Sequence, residues 1–248
     1  MSILYVDSYN YLDPAAATYI AAVEAADGQG LESPVKEAIN AFVVGCKADG
    51  IWSAIKASCI LAGARTLTGA LVPLVGTAPT NNNFASGDYN RETGLVGNGT
   101  TKYLDTNRTL GADPQNSQHA AVYASTVGSS FLVGMNVGPT TSGATTMSNT
   151  STRSRSSSND SWTPAAGFLG ISRAAAASYT QRTGGTSTAK TRTSQTPATA
   201  NVYIFACLPG GGYSAGRFAF YSIGEALDLA LLDGRVTALI NAIAAAIP

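Results

Sequence analysis

The feature that most constrains the fold is the hydrophobic pattern of residues 64–223. In this region helix-length periodicity is missing, and short apolar or alternating runs follow one another. Clusters of turn-forming residues separate the runs. Many short strands with a turn every ~8–12 residues are typical of an antiparallel sandwich or barrel, whereas parallel strands would need crossover helices. The sequence therefore predicts a mainly β protein, an antiparallel jelly-roll β-sandwich with N-terminal and C-terminal helices. The predicted strands are 70–75, 93–97, 102–106, 119–126, 130–137, 166–172, 201–208 and 217–223.

The Ser/Thr-rich stretch at 140–160 has two interpretations. It is either a low-complexity segment or a set of strands with solvent-facing hydroxyls. Thr suits an exposed strand face, which favours ordered strands with mobile tips.

Helical signals flank the β region on its N-terminal side. Asp13 is a candidate N-cap for an alanine-rich helix that ends at Gly28. Ser33 followed by a proline indicates a second helix, which runs to Gly50. The stretch 51–63 has apolar residues at helical spacing and is predicted as a third helix.

On the C-terminal side, Ser222 and Glu225 fit a capping box that begins a helix, and Gly234 is expected to break or bend it. The predicted organisation is an N-terminal arm and helical segment at 1–63, the jelly-roll at 64–223 and a C-terminal helix at 224–248.

Charge is sparse and unevenly placed. Only 12% of residues are charged, with 15 basic and 15 acidic side chains. Residues 115–223 hold seven basic residues and one acid, while 1–114 and 224–248 are net acidic. The balance argues against a nucleic-acid binder. It leaves two interpretations of the basic β body: a surface that steers a partner, or scattered arginines.

The three cysteines, Cys46, Cys59 and Cys207, lie in apolar contexts without a CxxC pair, so buried free thiols assembled in a reducing cytosol are expected. No run of the length needed for a membrane span is evident, and no membrane association is predicted. The first 14 residues lack the basic region of a secretory signal.

No catalytic constellation is found. Residues 115–223 hold one acid, Asp160, and none of the paired carboxylates that glycoside hydrolysis needs, unless a partner comes from Asp88, Glu92 or Asp105. His119 is the only histidine and has no nucleophile motif beside it. We therefore predict no enzyme activity, no catalytic residues, no cofactor and no metal site. A calcium ion held with help from Asp105 and Asn107 is left open.

Aromatic side chains are the candidates for ligand or partner contact. Trp162 follows a turn where it can be displayed, and Tyr179 and Tyr213 are also available, so these three are the predicted carbohydrate or interface contacts. The favoured interpretation of these aromatic residues is nevertheless that they are core residues or interface anchors, since Tyr and Trp serve both roles. Tyr203 and Tyr221 are further aromatic residues of this region that are available for such contact.

Four segments resemble a family of tailed-bacteriophage virion proteins that carry a concanavalin A-like or LamG-like jelly-roll domain. They are INAFVVGCKADGIWSAIKASCILAGARTLTGALVPLVG with NNNFASGDYNRETGLVGNGTTKYLDTNR, then GFLGISRAAAASYTQRTGG, and RFAFYSIGEALDLALLDGRVTALINA. The resemblance covers most of the chain and brings no catalytic site with it.

The resemblance implies a structural protein of the virion, assembled in the host cytoplasm. The favoured role is a capsid decoration or cement protein, a homo-oligomer (a trimer by preference) that contacts the major capsid protein or other virion proteins. The alternative is a tail fibre, tailspike or baseplate adhesin that binds host surface carbohydrate. The helices would then anchor or trimerise, and the loops around 140–160 and 209–216 would face outward.

Overall fold

The computed structural model describes residues 12–134, 143–207 and 211–247. Expectations that fall on 1–11, on 135–142 and on 208–210 lie outside the described residues: the N-terminal arm, the end of the run 130–137 and part of the loops near 140 and 209.

Two antiparallel sheets and a layer of helices make up the described part of the chain. The helices are α1 Pro14–Asp27, α2 Ser33–Ala48, α3 Leu67–Ala70 and α4 Leu229–Ala246. The strands are β1 Ile55–Ile60, β2 Thr80–Asn82, β3 Tyr89–Asn90, β4 Gly94–Val96, β5 Tyr103–Thr109, β6 Gln118–Thr126, β7 Phe131–Gly134, β8 Ala144–Ser148, β9 Ser151–Ser156, β10 Asp160–Ser161, β11 Gly167–Arg173, β12 Ser178–Thr183, β13 Thr186–Thr191, β14 Asn201–Ile204 and β15 Arg217–Gly224.

The sheets pack face to face. Among the described residues, the eight-stranded sheet has the order β13-β12-β11-β6-β15-β4-β3, with β1 also paired to β15, and the seven-stranded sheet has the order β10-β9-β8-β7-β14-β5-β2. This confirms the predicted antiparallel β-sandwich with helices at both ends of the chain. Ordered strands at 144–148 and 151–156 confirm the strand interpretation of the described part of 140–160.

The eight-stranded sheet is buried on both faces because alternate side chains of a strand point to opposite sides. On β6 and β15, Val122 and Tyr221 belong to the core between the sheets, whereas Ala121 and Phe220 belong to the core under the helices. The three long helices cover this second core. The outer face of the seven-stranded sheet carries none of these helices.

The helix predicted over 51–63 is wrong. Residues Ile55–Ile60 form β1, which pairs with β15 from Ile55↔Gly224 to Ile60↔Phe220. The strand is largely buried on both faces because it separates the two cores, although Lys56 and Ser58 interrupt its apolar residues. A short run buried on both faces cannot be distinguished from a buried helix by periodicity alone. The predicted strand at 70–75 is also absent, since Ala70 ends the short helix α3.

The C-terminal helix begins later than the capping box indicates. Ser222 is buried in β15, and its hydroxyl contacts His119 Nε2 at 2.7 Å. Asp228 is the observed N-cap, accepting from the Ala230 and Leu231 amides. The helix continues through Gly234 without a break. This residue faces solvent, and a glycine there makes the helix less stable than an alanine would but does not interrupt it.

Alone among the described helices, α4 has the length and composition of a membrane span, with 18 residues and a mean hydropathy of 1.5. Part of its apolar surface is engaged inside the protein: Leu232, Val236 and Ile243 are fully buried in the core under the helices. The three cysteines are buried and free, as predicted.

Candidate functional site

Trp162 lies inside the sandwich rather than on display. Its side chain is 8% exposed, and its indole N–H donates to the Ser148 carbonyl at 2.7 Å. Its backbone amide donates to Thr150, so the residue holds the β8–β9 turn from within. In the described chain, its ring offers little surface to a ligand.

Tyr179 is also a core residue, 2% exposed. Its hydroxyl contacts Thr152 Oγ1 at 2.8 Å and donates to Asp160 Oδ2 at 2.9 Å. Burial raises the pKa of this tyrosine to about 12. Its ring and hydroxyl therefore serve the packing of the two sheets.

Tyr213 is half-buried and belongs to a group of three rings on the outer side of the seven-stranded sheet. The Tyr103 ring lies 5.7 Å from Tyr203, edge to face, and 6.2 Å from Tyr213. We call Tyr103, Tyr203 and Tyr213 the tyrosine patch. Such clusters present rings whose faces carry partial negative charge and whose edges carry partial positive charge.

Strand register explains how the patch forms. Tyr203 in β14 lies directly opposite Asp105 in β5, and on its other side opposite Gly134 in β7. Paired residues point to the same face of a sheet. The next residues along, Leu104 and Ile204, pair with each other and point into the core. The outer face of β5 and β14 thus carries tyrosines beside polar groups.

The polar side of the patch is an amide and carboxylate cluster. Asn201 Nδ2 donates to Asp105 Oδ1 and Oδ2 at 3.0 and 3.1 Å, and the Asn107 amide donates to Asp105 Oδ1 at 2.8 Å. Asn107 in turn donates to Thr80 Oγ1 and to the Ala78 carbonyl. Burial and the charge of Asp105 raise the pKa of Tyr203.

A salt bridge lies next to Tyr103 in the sequence. Lys102 Nζ pairs with Asp88 Oδ1, and neither side chain is more than 20% exposed. Arg217 lies near enough to contribute to the lowered pKa of Asp88. On this side of the tyrosine patch, the positive charge of Lys102 is therefore largely compensated by Asp88.

The patch was only partly visible in the sequence. Tyr213 was singled out, Tyr203 was considered, and Tyr103 and Asn201 were missed. The alternation Tyr-x-Asp-x-Asn at 103–107 and Asn-x-Tyr at 201–203 was the available signal. Within the described residues, no cluster of three or more His, Cys, Asp or Glu side chains is suited to a metal ion.

No known protein-family model matches the sequence, and no curated protein is similar to it. Among solved structures, it is similar to domain 4 of AbnA, an extracellular arabinanase from Geobacillus stearothermophilus solved with arabinotriose. The identity is 12%, the TM-score is 0.42, and 65% of this chain and 82% of that chain are covered.

It is also similar to the binding domain of botulinum neurotoxin serotype D/C, with 9% identity and a TM-score of 0.44. That match covers 77% of this chain and 52% of the other, so the chain spans about half the length of the neurotoxin structure. A neurotoxin DC binding domain in complex with rat synaptotagmin II gives 10% identity, a TM-score of 0.36, and 60% and 42% coverage. These are likenesses of the β-sandwich fold.

Proposed function

We propose that this chain is a non-catalytic β-sandwich adhesin that binds host surface carbohydrate through the tyrosine patch, as a tail-fibre, tailspike or baseplate component of a phage virion. The observation that carries the proposal is the patch itself, three tyrosines beside the Asp105–Asn201 pair on a sheet face without helices. The phage setting rests on the sequence resemblance described above.

The chemistry of the patch suits a sugar. The C–H bonds of a pyranose or furanose ring carry partial positive charge and pack against the negative face of an aromatic ring. Sugar hydroxyls both donate and accept, and the carboxylate and amide groups of Asp105, Asn107 and Asn201 provide complementary partners at the edge of the rings. Ligand sites commonly combine an apolar platform with a few placed polar groups in this way.

The non-catalytic part of the proposal rests on the same geometry. Glycoside hydrolysis needs two carboxyl groups, one of them free to donate a proton. Asp105 is held by amide donors, and Asp88 is paired with Lys102. Both carboxylates are committed to stabilising contacts rather than to proton transfer.

The test is binding of the purified chain to polysaccharide extracted from host cells, followed by calorimetry. We expect Tyr203→Ala to weaken binding at least tenfold, because one stacking surface is lost. The matched control is Tyr123→Ala, which removes another half-buried tyrosine, from the eight-stranded sheet. Equal binding by wild type and Tyr203→Ala, with both folded by circular dichroism, would refute the role of the patch.

The second candidate function is capsid decoration by a homo-oligomer, with a trimer as the proposed form, and a specific surface favours it. The two large hydrophobic side chains exposed in the described residues, Val44 at 46% and Leu231 at 40%, lie on the adjacent helices α2 and α4. Grooves between these helices are lined largely by alanines. A second copy or the major capsid protein would bury this surface.

Sedimentation analysis tests this second candidate. A wild-type oligomer that Leu231→Asp converts to monomer, while Thr188→Asp on the exposed strand β13 leaves it intact, supports assembly through the helices. A wild-type chain that remains monomeric at high concentration and is missing from purified particles excludes it.

A further inference from the structure

The carboxylate of Asp105 lies beside the tyrosine patch and forms no ion pair with a cation among the described residues. Asp105 Oδ1 accepts from both the Asn107 amide and Asn201 Nδ2, whereas Oδ2 accepts only from Asn201 among the described residues. A carboxylate oxygen offers two acceptor sites, so Oδ2 keeps one for an incoming donor. Its hydrogen-bond donors are neutral, and Asp105 lies directly opposite Tyr203 in the strand register.

The basic side chains on the neighbouring part of β5 and just before it form ion pairs with other carboxylates than Asp105. Lys102 is paired with Asp88, and Arg108 is paired with Asp113. Arg153 lies three strands from Tyr203 through the pairs with Gly134 and Thr146, and its Nε donates to the Ser156 carbonyl at 2.5 Å.

The sequence near the patch adds no charge to this balance. Residues 135–142 and 208–210 contain no acidic or basic side chain. The raised pKa of Tyr203, which has Asp105 among its causes, agrees with a carboxylate field that reaches the ring. A ligand that stacks on Tyr203 therefore meets a net negative edge.

We infer that the tyrosine patch selects neutral glycans and rejects acidic ones, with Asp105 as the specificity-determining residue. This inference rests on the proposed carbohydrate-binding function. A sugar hydroxyl donates to Oδ2 in a charge-assisted hydrogen bond, which is stronger than a neutral one. A uronic acid or sialic acid carboxylate in the same position is repelled by the like charge of Asp105. It also cannot donate a hydrogen bond to Oδ2. A binding site discriminates against a wrong ligand through such unfavourable contacts.

The experiment is a glycan array of matched pairs, in which each neutral oligosaccharide has a uronic-acid counterpart of equal length, such as oligogalactose and oligogalacturonate. We expect wild type to bind neutral members at least tenfold more tightly than their acidic counterparts. Asp105→Asn should weaken neutral binding about tenfold and narrow the neutral-to-acidic ratio. The control Glu92→Gln removes an exposed carboxylate near α4 and should change neither value.

The outcomes separate the two proposals. Equal or tighter binding of acidic glycans by wild type overturns the inference and leaves the carbohydrate-binding function standing. An unchanged ratio in folded Asp105→Asn also overturns it. If wild type binds no member of either set, the proposed function fails and the inference fails with it.

Discussion

The positions of individual arginines explain the excess of basic residues in 115–223. Of the seven basic residues in 115–223, Arg155 and Arg173 are fully buried. Arg173 donates to the carbonyls of Ser154, Ala175, Ala176, Ser178 and Arg192, and so joins β9, β11 and the loop before β12. Arg182 and Arg192 form ion pairs with Asp233 and Asp160. Much of the basic character is thus used inside the molecule, which disfavours a surface that steers a partner by charge.

Arg173 provides a stability prediction at this scale. Arg173→Ala should lower the free energy of unfolding by about 3 kcal/mol or more, because several buried carbonyls lose their donor. Arg173→Lys should recover little, since an ammonium cannot reach the same spread of acceptors. Arg192→Ala, at a more exposed ion pair, should cost less than about 1 kcal/mol. Urea denaturation of the three variants checks the ranking, and equal losses for Arg173→Ala and Arg192→Ala would contradict it.

His119 makes stability depend on pH. Burial lowers its pKa from 6.5 to about 4, and its ring nitrogens contact the Glu225 carbonyl and the Ser222 hydroxyl. Between these values the unfolded chain binds a proton and the folded chain does not, so stability is lost as pH falls. We expect the free energy of unfolding to drop by about 2 kcal/mol from pH 7 to pH 5. His119→Gln should flatten this dependence, and a slope that persists in that variant would exclude His119 as its origin.

The secondary-structure elements that could be predicted are those that begin or end at a capping residue or at a turn glycine. Helix α1 has the Asp13 cap and the left-handed Gly28 end that its sequence indicates. The β12–β13 hairpin turns at Gly184 and Gly185, both at positive φ, where glycine is the favoured residue. Strand β1 was not predictable, because periodicity alone does not distinguish a short strand that is buried on both faces from a buried helix.

Helix α4 offers a matched pair of neighbouring leucines. Leu232 is fully buried, whereas Leu231 is 40% exposed. Leu232→Ala should lower the free energy of unfolding by about 3 kcal/mol through lost burial and a cavity. Leu231→Ala should change it by no more than about 0.5 kcal/mol. Urea titration of both variants at low protein concentration checks this, and similar losses at the two positions would show that α4 packs differently.

For the whole molecule, the pattern of short strands and turns was enough to predict the β-sandwich but not the tyrosine patch. The tyrosine patch requires β5 to pair with β14, which places Asn201 on Asp105 across 96 positions of sequence. Periodicity describes one strand at a time and carries no information about such pairings. Trp162 and Tyr179 were singled out because of their residue type and the turn before Trp162. Both residues pack in the core between the sheets and hydrogen-bond to residues of neighbouring strands, which no local pattern reveals.

The two tryptophans test whether the helices and the sandwich unfold together. Trp162 belongs to the core between the sheets, and Trp52 packs against the core under the helices. Because the eight-stranded sheet contributes to both cores, we expect one cooperative transition. In Trp52→Phe the fluorescence reports the sandwich, and in Trp162→Phe it reports the helical side. Each fluorescence midpoint in urea should coincide with the circular dichroism midpoint of the same variant. A helical-side fluorescence transition at lower urea than the dichroism of its own variant would mean that the helices detach first, and that the segments 1–63, 64–223 and 224–248 behave as separate units.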